Sequence, residues 1–148
     1  MIEWDEYLGL MGATEEQIQR VEARIGKDLP ADLRDELRKN QGRTPRCFSL
    51  ELPHGRKPSF RCLFHCDDRS EYSVSEISER TRILEDEFDI RDLIPFAEAA
   101  NALFCIDYRQ SNRPVVFVNL GLAPEDPQSC VRVANSFTEF CDMSMRPG

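Results

Sequence analysis

Three strand-length apolar runs between Leu93 and Leu120 constrain the fold of this chain more than any other feature. They are rich in β-branched and aromatic residues and are bounded by Pro, Asn, Ser or Asp, as is typical of strands. The runs are Leu93–Ala97, Leu103–Asp107 and Pro114–Leu120. Because the apolar residues are continuous, we expect a small sheet that is covered on both faces or nearly so. Pro95 and Pro114 cannot donate a hydrogen bond within a sheet, so each is expected at a strand start or an open edge.

Two amphipathic helices joined by a short turn are predicted upstream of this sheet. Thr14 and Gln17 have the spacing of a capping box, which starts the first helix. Gly26 supplies the left-handed residue that ends it. Pro30 opens the second helix, because proline is tolerated in a first turn, and Gly42 ends that helix.

The remaining segments supply shorter elements, which we read from apolar spacing, period-two alternation and capping residues. They are a short helix over residues 3–9, a β-hairpin with strands 48–52 and 60–64, a helix from Ser73 or Ser75 to about Leu84, an exposed acidic connection over 85–92, a last strand over 130–134, and a C-terminal helix that begins with a second capping box at 136–139. No internal repeat or low-complexity linker interrupts them, so we expect one domain.

Composition and charge limit the classes of partner. With 148 residues, 41% hydrophobic and 31% charged, the chain has the composition of an ordinary globular domain. Its 19 Lys and Arg against 27 Asp and Glu give a net charge of -8. That charge repels nucleic acid and anionic lipid and favours basic partners, or it serves solubility alone. No apolar run approaches the ~20 residues of a membrane span, and the N-terminus lacks a signal-peptide pattern, so we expect a cytoplasmic protein.

Cysteine and histidine residues are the first candidates for chemistry. The six cysteines are Cys47, Cys62, Cys66, Cys105, Cys130 and Cys141. Without a secretory signal they are expected to be reduced. Cys62, His65 and Cys66, with His54 upstream, superficially resemble a zinc site. In a strand, however, His65 points away from the two cysteines, and no CxxC knuckle is present, so buried thiols with a surface histidine are favoured over a metal site. A Cys–His nucleophile pair stays open as an alternative.

Asp107 is the other candidate for a site. It ends a buried strand, where it either binds a ligand or caps the turn before Asn112-Arg113-Pro114, and we favour the turn. The chain has no GxxxxGK[ST], GxGxxG, HExxH or GxSxG motif. Absence of motifs does not exclude an enzyme, but it favours a binding module.

Several segments occur in the order of a known family. They are Ala13-Thr14-Glu15-Glu16-Gln17-Ile18, Leu29-Pro30-Ala31-Asp32-Leu33, Asn40-Gln41-Gly42, Leu93-Ile94-Pro95-Phe96-Ala97, Cys105-Ile106-Asp107, Pro114-Val115-Val116 and Val133-Ala134-Asn135-Ser136-Phe137. Over residues 12–141 this order resembles the SUKH superfamily, which contains Smi/Knr-like fungal cell-wall regulators and many bacterial immunity proteins. The chain departs from the family pattern at Arg43, where a second Gly is usual, and at 98–101, where a Gly/Asp-rich turn is common.

The resemblance implies an α+β fold, a single domain over residues 1–148. Its mainly antiparallel sheet would have about five to six strands, flanked by N-terminal helices, a middle helix and a C-terminal helix. It also implies no catalysis, and we expect no cofactor and no bound metal. Bacterial members bind a toxin domain, often a nuclease or deaminase, in the cytoplasm of the producing cell. The expected partner is therefore a cognate basic toxin domain, with no direct binding to nucleic acid or membrane, and the free protein is expected to be a monomer or weak homodimer.

Two acidic clusters are the candidate partner-binding residues. They are Asp67, Asp68 and Glu71, and Glu85, Asp86, Glu87 and Asp89. Complementary charge would speed encounter with a basic toxin, and a few apolar or aromatic anchors would slow release. Each cluster is alternatively a solvated face without function. The competing functions are a general interaction or regulatory module, and a thiol- or metal-dependent enzyme built on Cys62, His65 and Cys66.

Overall fold

The chain has an α+β fold built on a four-stranded antiparallel sheet. A computed structural model describes residues 2–67 and 75–147. Within these residues the helices are α1 (Glu15–Ile25), α2 (Ala31–Asn40), α3 (Glu76–Phe88) and α4 (Phe137–Ser144), with a 3-10 turn at Pro53–Gly55. The strands are β1 (Trp4–Asp5), β2 (Thr44–Pro45), β3 (Leu93–Ala99), β4 (Ala102–Asp107), β5 (Val115–Asn119) and β6 (Cys130–Ala134).

The main sheet is a meander in which β3, β4, β5 and β6 pair in chain order, each antiparallel to the next. Every residue of β4 is buried, as expected for a central strand with continuous apolar sequence. β1 and β2 form a separate antiparallel pair. The predicted fold class is confirmed, and the six strands are divided between these two sheets.

Aromatic side chains form the core on one face of the main sheet. Phe104 and Phe117 are paired across β4 and β5, with ring centroids 5.2 Å apart. The Phe104 centroid also lies 5.1 Å from that of Phe140 in α4 and 5.8 Å from that of Phe60. Such contacts contribute about 0.5–1.5 kcal/mol each beyond the burial of apolar area. They hold α4 and the segment that contains Phe60 against the sheet.

Local hydrogen bonds at the helix ends follow the sequence prediction closely. The Thr14 hydroxyl accepts from the amide of Gln17 at 3.1 Å, and the Gln17 side chain accepts from the amide of Thr14 at 3.0 Å. Gly26 ends α1 in the left-handed conformation, with φ 71°. Ser136 caps α4 by accepting from the amide of Glu139 at 3.0 Å. The Thr14–Gln17 box, the Ser136 cap and the Gly26 stop are confirmed, but the second predicted box is incomplete, because the Glu139 carboxylate accepts from the amide of Asn135 at 3.3 Å and not from that of Ser136.

The short helix predicted over residues 3–9 is wrong. Trp4 lies in β1 and pairs with Pro45, and the amide of Leu8 donates to the carbonyl of Gly42 at 3.0 Å. A segment this short cannot offset the cost of helix nucleation without strong packing. As a strand, it instead brings the Trp4 ring to 6.5 Å from that of Phe60, in an edge contact.

The β-hairpin predicted over 48–64 is also wrong. The second half of the segment runs along the edge of β3, where the amide of Phe64 donates to the carbonyl of Phe96 at 2.8 Å and the amide of Arg61 donates to that of Glu98 at 3.3 Å. Phe48 lies against the same aromatic core. The alternation therefore reflects burial against the sheet, not pairing between the two halves.

Helix α3 continues to Phe88, beyond the predicted end at about Leu84. Ser75 is its N-cap, and the alternative start at Ser73 lies outside the described residues. The helix ends at Asp89, whose φ of 53° is left-handed, a conformation that Asp tolerates better than most residues. The predicted acidic connection is wrong over residues 85–88, which form the last turn of α3.

Candidate functional site

The first acidic cluster is described only at Asp67. This residue is half-buried, and its carboxylate accepts a hydrogen bond from the Gln17 side chain of α1 at 3.2 Å. Its amide donates to Nδ1 of His65 at 3.2 Å. Asp67 therefore links α1 to the segment that follows the edge of β3. Asp68 and Glu71 lie outside the described residues, and partner binding by this cluster stays a prediction.

The second acidic cluster gathers at the C-terminal end of α3. Asp86, Glu87 and Asp89 are exposed and Glu85 is half-buried. Asp86 accepts a weak hydrogen bond from Arg82 at 3.4 Å. Within the described residues Glu87 makes no ion pair, and the last turn of α3 contains no basic residue.

This placement of charge opposes the stability of the helix. The C-terminal end of a helix carries a partial negative charge, and each carboxylate in the last turn raises the free energy of the folded state by about 0.3–1 kcal/mol at low salt. In α1, by contrast, Glu15 and Glu16 occupy the favourable first turn and Arg24 the favourable last turn. Helix stability thus explains the charges of α1 but not those at the end of α3.

An apolar cleft opens beside the second cluster. Phe88, flanked by Glu87 and Asp89, is 39% exposed although it is a large apolar residue. Its ring lines a cleft of about 130 Å³ between the end of α3 and the loop that joins β5 to β6. The other apolar residues that line it are Ile90, Leu93, Val118, Leu120, Leu122, Pro124 and Cys130. Acids and exposed apolar surface therefore meet at one place on the molecule.

An ion pair between the buried Asp107 and the exposed Arg109 borders the same cleft. Asp107 is 1% exposed, and both its oxygens accept from the Arg109 guanidinium, at 2.9 and 3.2 Å. Burial raises the pKa of Asp107, but hydrogen bonds from Arg109 and Gln110 outweigh that effect and hold the pKa below its usual value. The Arg109 amide also donates to Asp107 at 2.9 Å, which confirms the predicted turn.

Comparison with known proteins identifies the family. The model of the SMI1/KNR4 family (SUKH-1) matches residues 12–143, which include all four helices and the main sheet except the last residue of α4. The chain belongs to this family. The match confirms the resemblance that the ordered segments carry. No curated protein matches the chain.

In this SUKH-1 chain the residues of the possible zinc site do not converge. Cys62 and Cys66 are buried, and burial raises the pKa of Cys62 to about 11, so its thiol is protonated at neutral pH and a poor nucleophile. His65 Nε2 lies 3.6 Å from the Glu76 carboxylate. Among the described residues no group of three or more His, Cys, Asp or Glu side chains could hold a metal ion, and the side chain of His54 lies outside them.

The described part of the SUKH-1 chain contains no helix that is both long and apolar enough to cross a membrane. No disulfide joins its six cysteines.

Sequence reasoning identified the acids at the end of α3 but missed the cleft. The one available signal was Phe88 itself, an aromatic residue within an acidic run.

Proposed function

We propose that this chain is a non-enzymatic immunity protein that binds and neutralises a cognate bacterial toxin domain, a nuclease or deaminase, in the cytoplasm. The observation that carries the proposal is the end of α3, where Glu87 and Asp89 flank the exposed Phe88. Membership of the SUKH-1 family supports it, since bacterial members of the superfamily include immunity proteins. We further propose that residues 1–148 act as one domain.

Neutralisation would follow from competition for one surface. An enzyme that acts on nucleic acid needs a basic surface to bind phosphates. An immunity protein with a net charge of -8 is drawn to that surface, and once bound it excludes the substrate. Acids at the edge of the contact speed association, whereas buried apolar contacts slow dissociation. The end of α3 offers both kinds of contact, because its acids surround an apolar side chain.

The test is to identify candidate toxin domains in the genes that neighbour this one and to co-express each with this chain, scored for survival and for a stable complex. Survival of the cells and a purified one-to-one complex are expected. Death of the cells despite soluble immunity protein would refute neutralisation. A stable complex with a non-toxic partner, and none with the toxin domain, would instead favour a general interaction module.

A charge-matched pair of variants tests the role of the acids at the end of α3. The double variant Glu85→Gln, Glu87→Gln and the control Glu6→Gln, Glu16→Gln both remove two negative charges. A pair of opposite charges about 7 Å apart in water contributes about 0.6 kcal/mol of attraction. The first variant loses two such pairs, about 1.2 kcal/mol, so it should slow association with the toxin domain about 8-fold at low salt. The control should slow it much less, because Glu6 follows β1 and Glu16 lies in the first turn of α1, whereas the residues of α1 next to Glu85 are Arg24 and Ile25 at its other end. Equal association rates for the two variants would contradict this assignment of the surface.

A further inference from the structure

We infer that the cleft beside Phe88 receives one apolar side chain that projects from the basic surface of the partner. The inference rests on the proposed function, because it takes the partner to be a basic toxin domain. It adds an anchoring position to the charged rim, and it assigns this position to the walls formed by Phe88, Leu122 and Cys130.

The size and lining of the cleft select the occupant. A volume of about 130 Å³ is close to that of an engineered apolar cavity of about 150 Å³ that binds benzene in another protein. The cleft therefore has room for one branched aliphatic or aromatic side chain, and not for a helix or a strand. Leu93 and Val118, both less than 4% exposed, lie at the cleft among its apolar walls, and the polar residues that line it are Arg109, Asn119 and Ser129. An apolar side chain would displace poorly bound water from such a site.

Charge on both sides of the cleft specifies what surrounds that side chain. Glu87 and Asp89 stand on the α3 side, and Glu125 and Asp126 follow the wall residue Pro124 on the other side. Two cations are also near. They are Arg91, which lies 3.9 Å from Asp89, and Arg109, whose charge is compensated by the buried Asp107. With Arg91 set against Asp89 and Arg109 against Asp107, the carboxylates of Glu87, Glu125 and Asp126 remain, and they favour a partner whose anchor is ringed by Lys or Arg.

The wall of the cleft is formed before any partner binds. Asp89, in its left-handed conformation, turns the chain directly after Phe88, and its amide donates to the carbonyl of Leu84. The amide of Ile90 donates to the same carbonyl at 2.9 Å. These bonds fix Phe88 and Ile90 at the cleft, so little conformational entropy is lost on binding.

The experiment measures how fast three variants of this chain dissociate from the purified toxin domain that the co-expression test identifies. Phe88→Ala removes one wall, and it should speed dissociation about 30-fold, the size of an anchor contact. Its control, Met143→Ala, removes a side chain that is 51% exposed on α4 and should leave dissociation unchanged. Melting temperatures of all variants establish that each is folded.

The third variant, Leu122→Asp, separates an apolar anchor from simple charge attraction. It adds an acid to the rim, so an interface held by charge alone would dissociate more slowly than the wild type. An anchor in the cleft predicts the reverse, with dissociation at least about 10-fold faster. Wild-type dissociation rates for both Phe88→Ala and Leu122→Asp, in a chain that still protects cells, would overturn the inference and leave the proposed function intact. Failure of the wild type to bind the toxin domain would overturn both.

Discussion

Replacing Glu87 with Gln is expected to raise the stability of this protein. Glu87 lies in the last turn of α3, where its charge meets the negative end of the helix dipole. The residues one helical turn before it are Ile83 and Leu84, which cannot compensate the charge. Glu and Gln have nearly the same helix propensity, so the substitution changes charge and little else.

The magnitude follows from the position of the residue. Removing one unfavourable charge from an exposed last turn should raise the free energy of unfolding by about 0.3–1 kcal/mol at low salt. For a chain of this length that corresponds to a rise in melting temperature of about 1–3 °C. The matched control is Glu16→Gln, which removes an exposed charge from the favourable first turn of α1 and should lower stability by a similar amount.

The assay is urea unfolding of both variants in about 10 mM salt, where charges act over about 30 Å, and again in about 1 M salt, where they are screened beyond about 3 Å. Both variants change the net charge by one, so a general relief of self-repulsion would shift both in the same direction. Opposite shifts that shrink in high salt are expected. A loss of stability in Glu87→Gln, or shifts of equal sign, would refute the reasoning about the end of α3.

Two further predictions concern the stability of the fold. Gly12→Ala should lower the free energy of unfolding by about 3 kcal/mol, because a Cβ there would lie 1.8 Å from the carbonyl oxygen of Arg38. A loss below about 1 kcal/mol, measured by urea unfolding, would contradict this prediction. Asp107→Asn should lower stability at neutral pH, since the pKa of Asp107 is lowered in the folded state and the carboxylate therefore stabilises the fold above its unfolded pKa of about 3.9. That contribution is lost as pH falls through the folded pKa, so the stability of the wild type should decline more steeply below about pH 4 than that of the Asn variant. Equal slopes for the two proteins would disprove the assignment.

Local hydrogen bonding made much of the fold predictable from sequence. The Thr14–Gln17 box and Gly26 act within one helical turn, so their residue types are sufficient to locate the ends of α1. The central strands were predictable because their apolar runs are continuous. The position of the segment around Phe64 was not predictable, because alternation indicates which side chains are buried but not which strand lies alongside them. Its partner, Phe96, is distant in sequence.

The candidate site was predictable only in its charges. Glu85, Asp86 and Glu87 stand out as an acidic run, but their helical state depends on how far α3 extends. The cleft could not be predicted, since its walls come from α3, the loop after β5 and the start of β6. Only the tertiary fold brings Phe88 and Cys130 to the same opening.

The chain-order pairing of β3 to β6 has a consequence for synthesis on the ribosome. Helix α3 packs on β3 and α2 packs on α4, and both of these partners lie after residue 92, so α2 and α3 are translated before the elements that cover them exist. At about 5–20 residues per second, their apolar faces remain uncovered for several seconds. The nascent N-terminal half is therefore the stage at which chaperones and proteases have the best access to this protein.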